Sequence, residues 1–372
     1  MGIKFEFLKA GNGDSILVSI DNYKTNILID GGEKGTYATK GGLKDKIEYN
    51  IKGNDKKLDL VVMTHYDGDH IGGLIKLLEE EEKNIKKGQE TIIKELWFNT
   101  FDNVLIETAM INSKTAAKDQ IQFDIYLKKI LSKITTYKPK VSVDEIKESI
   151  YIGADKKIEL ILLSPNDKKL DLLYKEDFEK YLDDKEISKD DYRYSVDELQ
   201  GLKSAEDGSH RNGSSIAFIL IYDNMKFLFL GDAHIGLIVD SLKEVDKKYY
   251  NKDGLLEFEF VKLSHHGSCE NINKEFLDLI LTDKYIILTS GKKFSHPHKK
   301  TISIIASNDR RKKLSNNEYQ DKIEFLCNYE HNGRVFSVEE QKKYKTPFKL
   351  LSKLKNNKIK SSFYKELEYG LY

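Results

Sequence analysis

The chain has 372 residues, with 61 basic and 61 acidic side chains and a formal net charge of zero. That length suits one large domain or two ordinary ones. The charge balance excludes the strongly basic overall field that would announce a nucleic-acid partner, although it leaves room for local patches. No apolar run approaches the roughly 18 residues of a membrane span, so no membrane partner is expected. The N-terminus MGIKFEFLKAG has no apolar secretory core, and Glu6 stands where a myristoylation signal needs Ser or Thr. Cys269 and Cys327 form neither a disulfide framework nor a CxxC metal pair. The expectation is a cytoplasmic protein with reduced thiols.

In chain order, alternating apolar residues predict a β-meander over 3–32, with strands at Ile3–Phe7, Ile16–Ile20 and Asn26–Ile29. The intervening GNGDS turn and the closing Asp30-Gly31-Gly32 are glycine turns able to line a site. Leu43, Ile47 and Ile51 predict a short amphipathic helix stopped by Gly53. Leu58–Met63 reads as a strand buried on both faces. His65, Asp67, Asp69 and His70 follow it within the stretch THYDGDHIGG, and a helix begins at Ile71 with Asp69 as a plausible cap. Lys94–Asn99 is expected to be a strand, Val104–Ile134 largely helical, and the surroundings of Val141 and Ile158–Leu163 strands. Residues 165–209 read as a helical insertion on the surface or a lid over the site, on the spacing of Leu170, Leu173, Tyr174, Phe178, Tyr181 and Leu182.

The loop Ser209–Ser215 precedes a strand at Ile216–Tyr222, and the strand Lys226–Leu230 delivers Gly231-Asp232. Leu256–Leu263 runs into Ser264-His265-His266-Gly267-Ser268. A helix at 273–281 and a strand at Tyr285–Thr289 lead to Ser295-His296-Pro297-His298, with a helix from Lys299. Strands near Ile323–Cys327 and Arg334–Val338 close the globular part. The tail from Lys342 to Lys365 carries nine lysines and no acid. It reads as a packed C-terminal helix with a solvated lysine face or as a basic amphipathic helix for a phosphate backbone or partner.

One pattern recurs: a strand ends and His or Asp follows at once. It occurs at His65–His70, at Asp232, at His265–His266 and less cleanly at His296–His298. Strand ends of one sheet lie side by side, so these donors are expected to converge. They suffice for two divalent ions, with the Asp232 carboxylate able to bridge them, in the clamp that stabilises attacking and leaving oxygens in hydrolysis.

The ordered set GNGDSILV, LIDGG, THYDGDHIGG, NGSSIAF, FLGDA, KLSHHGS and SHPH resembles the metallo-β-lactamase-fold hydrolases. Within them it is similar to the branch containing the soluble hydrolase domain of the ComEC DNA-uptake protein. The resemblance implies a four-layer αββα sandwich of two mixed β-sheets over 1–340. Helical insertions are expected at about 75–150 and 165–209, and the lysine-rich tail or helix at 341–372. It further implies that His65 and Asp67 serve one metal, that Asp69 and His70 serve a second, and that Asp232 bridges. One histidine of the His265-His266 pair completes the second site, and the sequence leaves open which. The usual second histidine of the first motif is here Asp67, as is typical of the ComEC-like branch. The third-motif histidine has no clear counterpart: Asn212 and Ser215 occupy the branch's Asn-x-x-Ser position, with His210 as an unusual candidate nearby.

This carboxylate-rich donor set allows Zn²⁺ or Mn²⁺, with Mg²⁺ a harder alternative. Coordination would acidify a water towards neutrality, Asp69 would orient it as well as ligate, and His296 or His298 would contact the scissile group or protonate the leaving oxygen. Asn212, Ser215, Ser268, His298 and His210 are candidate substrate contacts. The expected function is a phosphodiesterase or nuclease acting on a nucleic acid or nucleotide, to which Lys292-Lys293, Lys299-Lys300 and Arg310–Lys313 add positive charge. The alternatives are a hydrolase of a lactone, thioester or β-lactam, which Asp67 argues against, and a regulatory or effector subunit of a multi-protein system such as phage defence. A partner protein or a homo-oligomer is compatible with each.

Overall fold

The structure is a computed structural model. It describes residues 2–99, 115–175, 191–201, 204–308, 323–331, 335–337, 339–340, 342, 348–350, 359–360 and 366–370. Two eight-stranded mixed sheets are stacked with helices on both outer surfaces, the αββα sandwich of the metallo-β-lactamase fold.

The first sheet begins with β1 (Ile3–Phe7), β2 (Ile16–Ile20) and β3 (Thr25–Ile29), the antiparallel meander expected from the alternation. β4 (Leu60–Val62), β5 (Glu95–Trp97) and β6 (Thr136–Lys138) extend it in parallel. The second sheet starts at one edge with β7 (Ile150–Ile152), β8 (Ile158–Ser164), β9 (Ala217–Tyr222) and β10 (Met225–Phe229). β11 (Leu256–Glu257) stands outside it and pairs with β13 (Ile280–Leu281). The second sheet continues through β12 (Phe260–Lys262), β14 (Lys284–Ile287), β15 (Glu324–Cys327) and β16 (Phe348–Leu350), all parallel to one another. β17 (Ile359–Lys360) and β18 (Glu366–Gly370) complete the first sheet, where β18 lies parallel to β1.

Alternation along each strand sorts its side chains between layers. In β2, Ile16, Val18 and Ile20 face the inter-sheet core while Leu17 faces the outer helices. The inter-sheet core is rich in aromatics: Phe5 lies 4.6 Å from Phe227 and meets Phe260 edge-on at 4.9 Å. The helix Gly68–Lys86 buries Ile71, Leu74, Ile75 and Leu78 on the outside of the first sheet, together with Phe123 of the helix Thr115–Ile130. The helices Ile235–Glu244, Lys274–Leu279 and Lys299–Ala306 cover the second sheet through Ile238, Phe276 and Ile302.

Several local expectations change. The helix expected over 43–53 begins as an α-turn at Leu43–Lys46 and then widens into a π-turn at Ile47–Ile51. No strand forms at Val141: its backbone N–H donates to the Asn99 side chain, and the strands fall on either side as β6 and β7. Residues 75–150 therefore contribute strands to both sheets as well as helices. Asp69 does not cap the following helix; Asp67 holds that position, with its carboxylate directed elsewhere. Leu256–Leu263 breaks into β11 and β12, and Val335–Ser337 forms no strand. The described parts of 341–372, read from the sequence as a lysine-rich tail or helix, include a helical Lys342 and the strands β16, β17 and β18, where apolar residues such as Phe348 and Leu350 alternate with lysine.

Around 165–209 the described flanks are helices at Asp167–Lys175 and Val196–Gly201, and Leu170, Leu173, Val196 and Leu199 are fully buried. Both flanks thus pack into the hydrophobic clusters of the sandwich. Phe178, Tyr181 and Leu182, the first part of the expected 104–134 helix, Arg310–Lys313 and most of the lysine-rich tail lie outside the described residues.

Candidate metal centre

Parallel strands present their C-terminal ends on one side, and the site is built there. β3 delivers Asp30, β4 delivers Thr64–His70, β10 delivers Asp232, and β12 delivers His265-His266. The turn after β3 and the helix after β4 meet backbone to backbone. Gly31 N–H donates to His70 O (2.7 Å) and Gly73 N–H to Gly32 O (2.9 Å). A Cβ on Gly73 would fall 2.0 Å from Gly31 O, so LIDGG and HIGG approach this closely only as glycines.

Asp232 is at the centre. Its Oδ2 lies 3.3 Å from His70 Nε2, 3.5 Å from His266 Nε2 and 3.7 Å from His65 Nε2. Asp69 Oδ2 lies 3.5 Å from His266 Nε2, and the two imidazole Nε2 atoms of His70 and His266 are 3.3 Å apart. Among the described residues the overlapping groups of donors include His65–His70–Asp232 and Asp69–His70–His266, and Asp14 stands within reach of the same cluster beside Asp232 and His266. All of these residues are almost entirely buried except Asp69, which keeps partial exposure. The buried His65 Nε2 and Asp232 Oδ1 have no hydrogen-bond partner. Converging imidazole nitrogens and carboxylates with orphaned lone pairs suit a divalent cation, so the residues fit the metal that the sequence led us to expect.

The other ring nitrogens are fixed from behind, which settles the tautomers. His70 Nδ1 donates to Asp30 Oδ2 (2.8 Å). Asp30 also accepts from the Thr64 hydroxyl (2.7 Å) and the Thr64 N–H (2.8 Å). The Thr64 hydroxyl, its proton committed to Asp30, accepts from His65 Nδ1 (3.0 Å). His266 Nδ1 donates to Leu288 O (2.9 Å), with Asp14 Oδ1 3.3 Å away. Each Nε2 lone pair is thereby aimed at the cluster.

Burial alone would push the Asp232 carboxyl up, but His266 and His70 outweigh it and hold Asp232 well below the usual range. Asp69 is likewise held ionised by His266 and His70 against its burial. Burial would lower His70, yet Asp232 and Asp30 raise it well above its ordinary value. The arrangement is short of positive charge.

The remaining predicted residues divide. His265 and His266 both adopt left-handed backbone (φ 45° and 55°), and the turn sends their rings different ways. His266 enters the cluster. His265 Nδ1 instead meets Asn271 Oδ1 (3.2 Å), Asn212 Nδ2 (3.3 Å) and Asp207 Oδ2 (3.4 Å). Asn212 also donates to Asp207 (2.9 Å), so it positions His265 rather than facing open space. The Ser215 hydroxyl accepts from the Asp232 N–H (3.2 Å) and steadies that ligand's backbone. The Ser268 hydroxyl caps a turn by accepting from Glu270 N–H (3.3 Å). His298 Nδ1 accepts from the Cys269 N–H (3.0 Å). His296 is buried, with its ring 5.0 Å from that of His265. Burial, reinforced by His265 and His298, holds it well below its ordinary pKa. His210 starts the short helix His210–Gly213 and is not among the clustered donors of the described residues. Asp67 Oδ1 is ion-paired with Arg211 Nη1 at 2.7 Å.

Sequence reasoning missed Asp14, Lys262, Asp207, Asn271 and Arg211. Asp14 and Lys262 form a fully buried ion pair behind His266, and Lys262 Nζ also reaches Gly231 O (3.2 Å). An acid inside the glycine turn GNGDS and a lysine interrupting a buried strand were the available signals. Lys299 and Lys300, expected to add charge for the substrate, are buried; Lys299 Nζ pairs with Glu340 (2.7 Å).

Residues 8–98 match the metallo-beta-lactamase superfamily. ComE operon protein 3 of Bacillus subtilis (strain 168) is 21% identical over 312 residues. The match covers 81% of this chain and 30% of that protein, so the chain spans under a third of its relative's length. Among solved structures, the metallo-beta-lactamase fold protein YhfI from Bacillus subtilis covers 94% of this chain and 97% of its own, at 9% identity and a TM-score of 0.39. A putative metal-dependent hydrolase from Parabacteroides distasonis covers 80% and 87%, at 12% identity and a TM-score of 0.33. Likenesses that loose add no weight to the strand order and donor cluster described above. Over residues 8–98 the chain matches the metallo-β-lactamase superfamily, and the two-sheet sandwich those residues begin has that fold.

Proposed function

We propose that the chain hydrolyses phosphodiesters, in a nucleic acid or a nucleotide, within the cytoplasm. The observation that carries this reading is the carboxylate content of the site: Asp69 and Asp232 stand among the clustered donors, and Asp67, where an imidazole would sit in carbonyl-hydrolysing relatives, holds Arg211 beside them. The resemblance to the ComEC-like branch, which the 21% identity to ComE operon protein 3 accompanies, agrees with a nucleic-acid substrate. Such a set accepts zinc or manganese.

A bound divalent ion supplies an acidified water and positive charge for the phosphoryl oxygens. Asp69, held ionised and partly exposed at the edge of the cluster, accepts a hydrogen bond from the attacking water and orients it. Asp30 and Thr64 fix His70 and His65, so the donors need no rearrangement when substrate arrives. His265, held by Asp207, Asn212 and Asn271, and His296 line one flank, where each ring can hydrogen-bond a substrate oxygen. The exposed Lys292 and Lys293, just before His296 in the chain, add positive charge for an anionic substrate.

The test is a substrate panel with Zn²⁺ or Mn²⁺: bis-p-nitrophenyl phosphate, DNA, RNA and cyclic nucleotides against a lactone, a thioester and a β-lactam. Turnover of at least one phosphodiester, abolished by Asp69→Ala, is expected. Resistance of every phosphodiester, with cleavage of any carbonyl substrate, would overturn the proposal.

A further inference from the structure

The two halves of the donor cluster are not equivalent, and the difference lies in Arg211. On one side, Asp69, His70, His266 and Asp232 bring two carboxylates and two imidazoles together. Both of those imidazoles are backed by strong acceptors, Asp30 for His70 and Leu288 O with Asp14 for His266. This half joins the triad Asp69–His70–His266 to the central Asp232 and has a full outer layer. On the other side, His65 is backed by a neutral hydroxyl. Its partner Asp67 is already neutralised, because Asp67 Oδ1 is 2.7 Å from Arg211 Nη1 while Asp67 Oδ2 is 3.5 Å from His65 Nε2.

The pair is built in. Arg211 is in the helix His210–Gly213, whose start is capped by the Ser209 side chain accepting from the Asn212 N–H. Asn212, the next residue, is fastened to Asp207 at 2.9 Å. A guanidinium keeps its proton at every physiological pH, so it does not vacate the position by titrating. The Arg211 and Asp67 side chains are 18% and 26% exposed, a half-dry setting in which a dication placed against Asp67 would be repelled by the neighbouring guanidinium.

We infer that this chain holds one tightly bound metal, in the Asp69–His70–Asp232–His266 half, and that Arg211 takes the place of the second cation beside Asp67. For the phosphodiester substrate proposed above, on which this part rests, the guanidinium is then the fixed positive charge that meets a non-bridging phosphoryl oxygen, a planar fork suited to phosphate. The site is a one-metal, one-arginine clamp.

Metal content without substrate tests this separately from the phosphodiesterase reading. Full-length protein is loaded with excess Mn²⁺, desalted and assayed for manganese per chain, with electron paramagnetic resonance of the same samples. The wild type should retain a single equivalent with the signal of an isolated ion. Arg211→Ala and Arg211→Met should approach two equivalents and show an exchange-coupled pair. Asp67→Asn should keep the wild-type ratio, since Asp67 is occupied by Arg211 rather than by metal. Two equivalents with a coupled pair in the wild type would overturn the inference. So would folded Arg211 variants that stay at one, judged by circular dichroism, or loss of the retained ion in Asp67→Asn. A single equivalent in a protein that cleaves no phosphodiester would leave this inference standing and sink the substrate assignment.

Discussion

Asp30 Oδ2 accepts from His70 Nδ1 at 2.8 Å, and through the Thr64 hydroxyl the same carboxylate also sets the ring of His65. One residue of the LIDGG turn therefore orients two of the clustered imidazoles. Removing such an outer partner generally costs about 10- to 100-fold in metal affinity. Asp30→Asn should weaken the centre by that order in chelator competition while the fold, read by circular dichroism, persists. Unchanged affinity would show that packing alone orients the two rings.

Asp14 and Lys262 form a buried pair directly behind His266. Burial would push the Asp14 carboxyl up, but Lys262 and His266 outweigh it and keep it below its usual range. Breaking a buried pair from one side leaves an uncompensated charge at a cost of about 3–5 kcal/mol. Lys262→Met should lose that much in urea unfolding, and adding Asp14→Leu should recover a large part of it. A loss under ~1 kcal/mol for Lys262→Met would mean that water reaches Asp14.

Asp124, in the helix Thr115–Ile130, is buried and accepts from the Tyr66 hydroxyl at 3.5 Å; burial pushes its carboxyl up to about 7 against the pull of Lys128 and Tyr66. Its folded pKa lies above its unfolded value, so the folded state binds the extra proton. Stability is then full at acid pH and falls as pH rises from about 4 towards 7, by up to about 4 kcal/mol in all. Asp124→Asn should therefore melt increasingly above the wild type between pH 5 and pH 8. A difference independent of pH would refute the raised pKa.

Gly73→Ala should destabilise by about 1–3 kcal/mol, because its Cβ would fall 2.0 Å from Gly31 O and force the β3 turn off the helix. The same shift carries His70 and Asp30 apart, so metal affinity should drop along with the melting temperature. A variant that lost stability but held metal as tightly as before would count against this coupling.

How much of this was legible in the sequence follows from how local each signal is. The strands β1 to β4 and the cluster His65–His70 could be read because alternation and motif lie within a few residues of one another. His266 could not be told from its neighbour, since two adjacent histidines in a left-handed turn point apart and only the fold says which points in. Arg211 gave no warning because its meaning is a pairing with Asp67 across more than a hundred residues of chain. Asp207 was hidden because, although Asn212 is close in the chain, its partners His265 and Asn271 come from a stretch far along it, with Asn271 64 residues away. The β-strands in the lysine-rich tail were masked by composition, where lysine on one strand face looks like lysine on one helix face.

The donors are drawn from both sheets: Asp69 and His70 follow β4 of the first, whereas Asp232 and His266 follow β10 and β12 of the second. A bound ion is thus a rivet through the sandwich, fastening one sheet to the other at a single edge. Ligand that binds only the folded state stabilises it in proportion to RT ln(1 + [L]/Kd). Chelation should then do more than silence the enzyme: the seam between the sheets should open first at the metal edge, and hydrogen exchange there should rise before it does in the aromatic layer around Phe5 and Phe260.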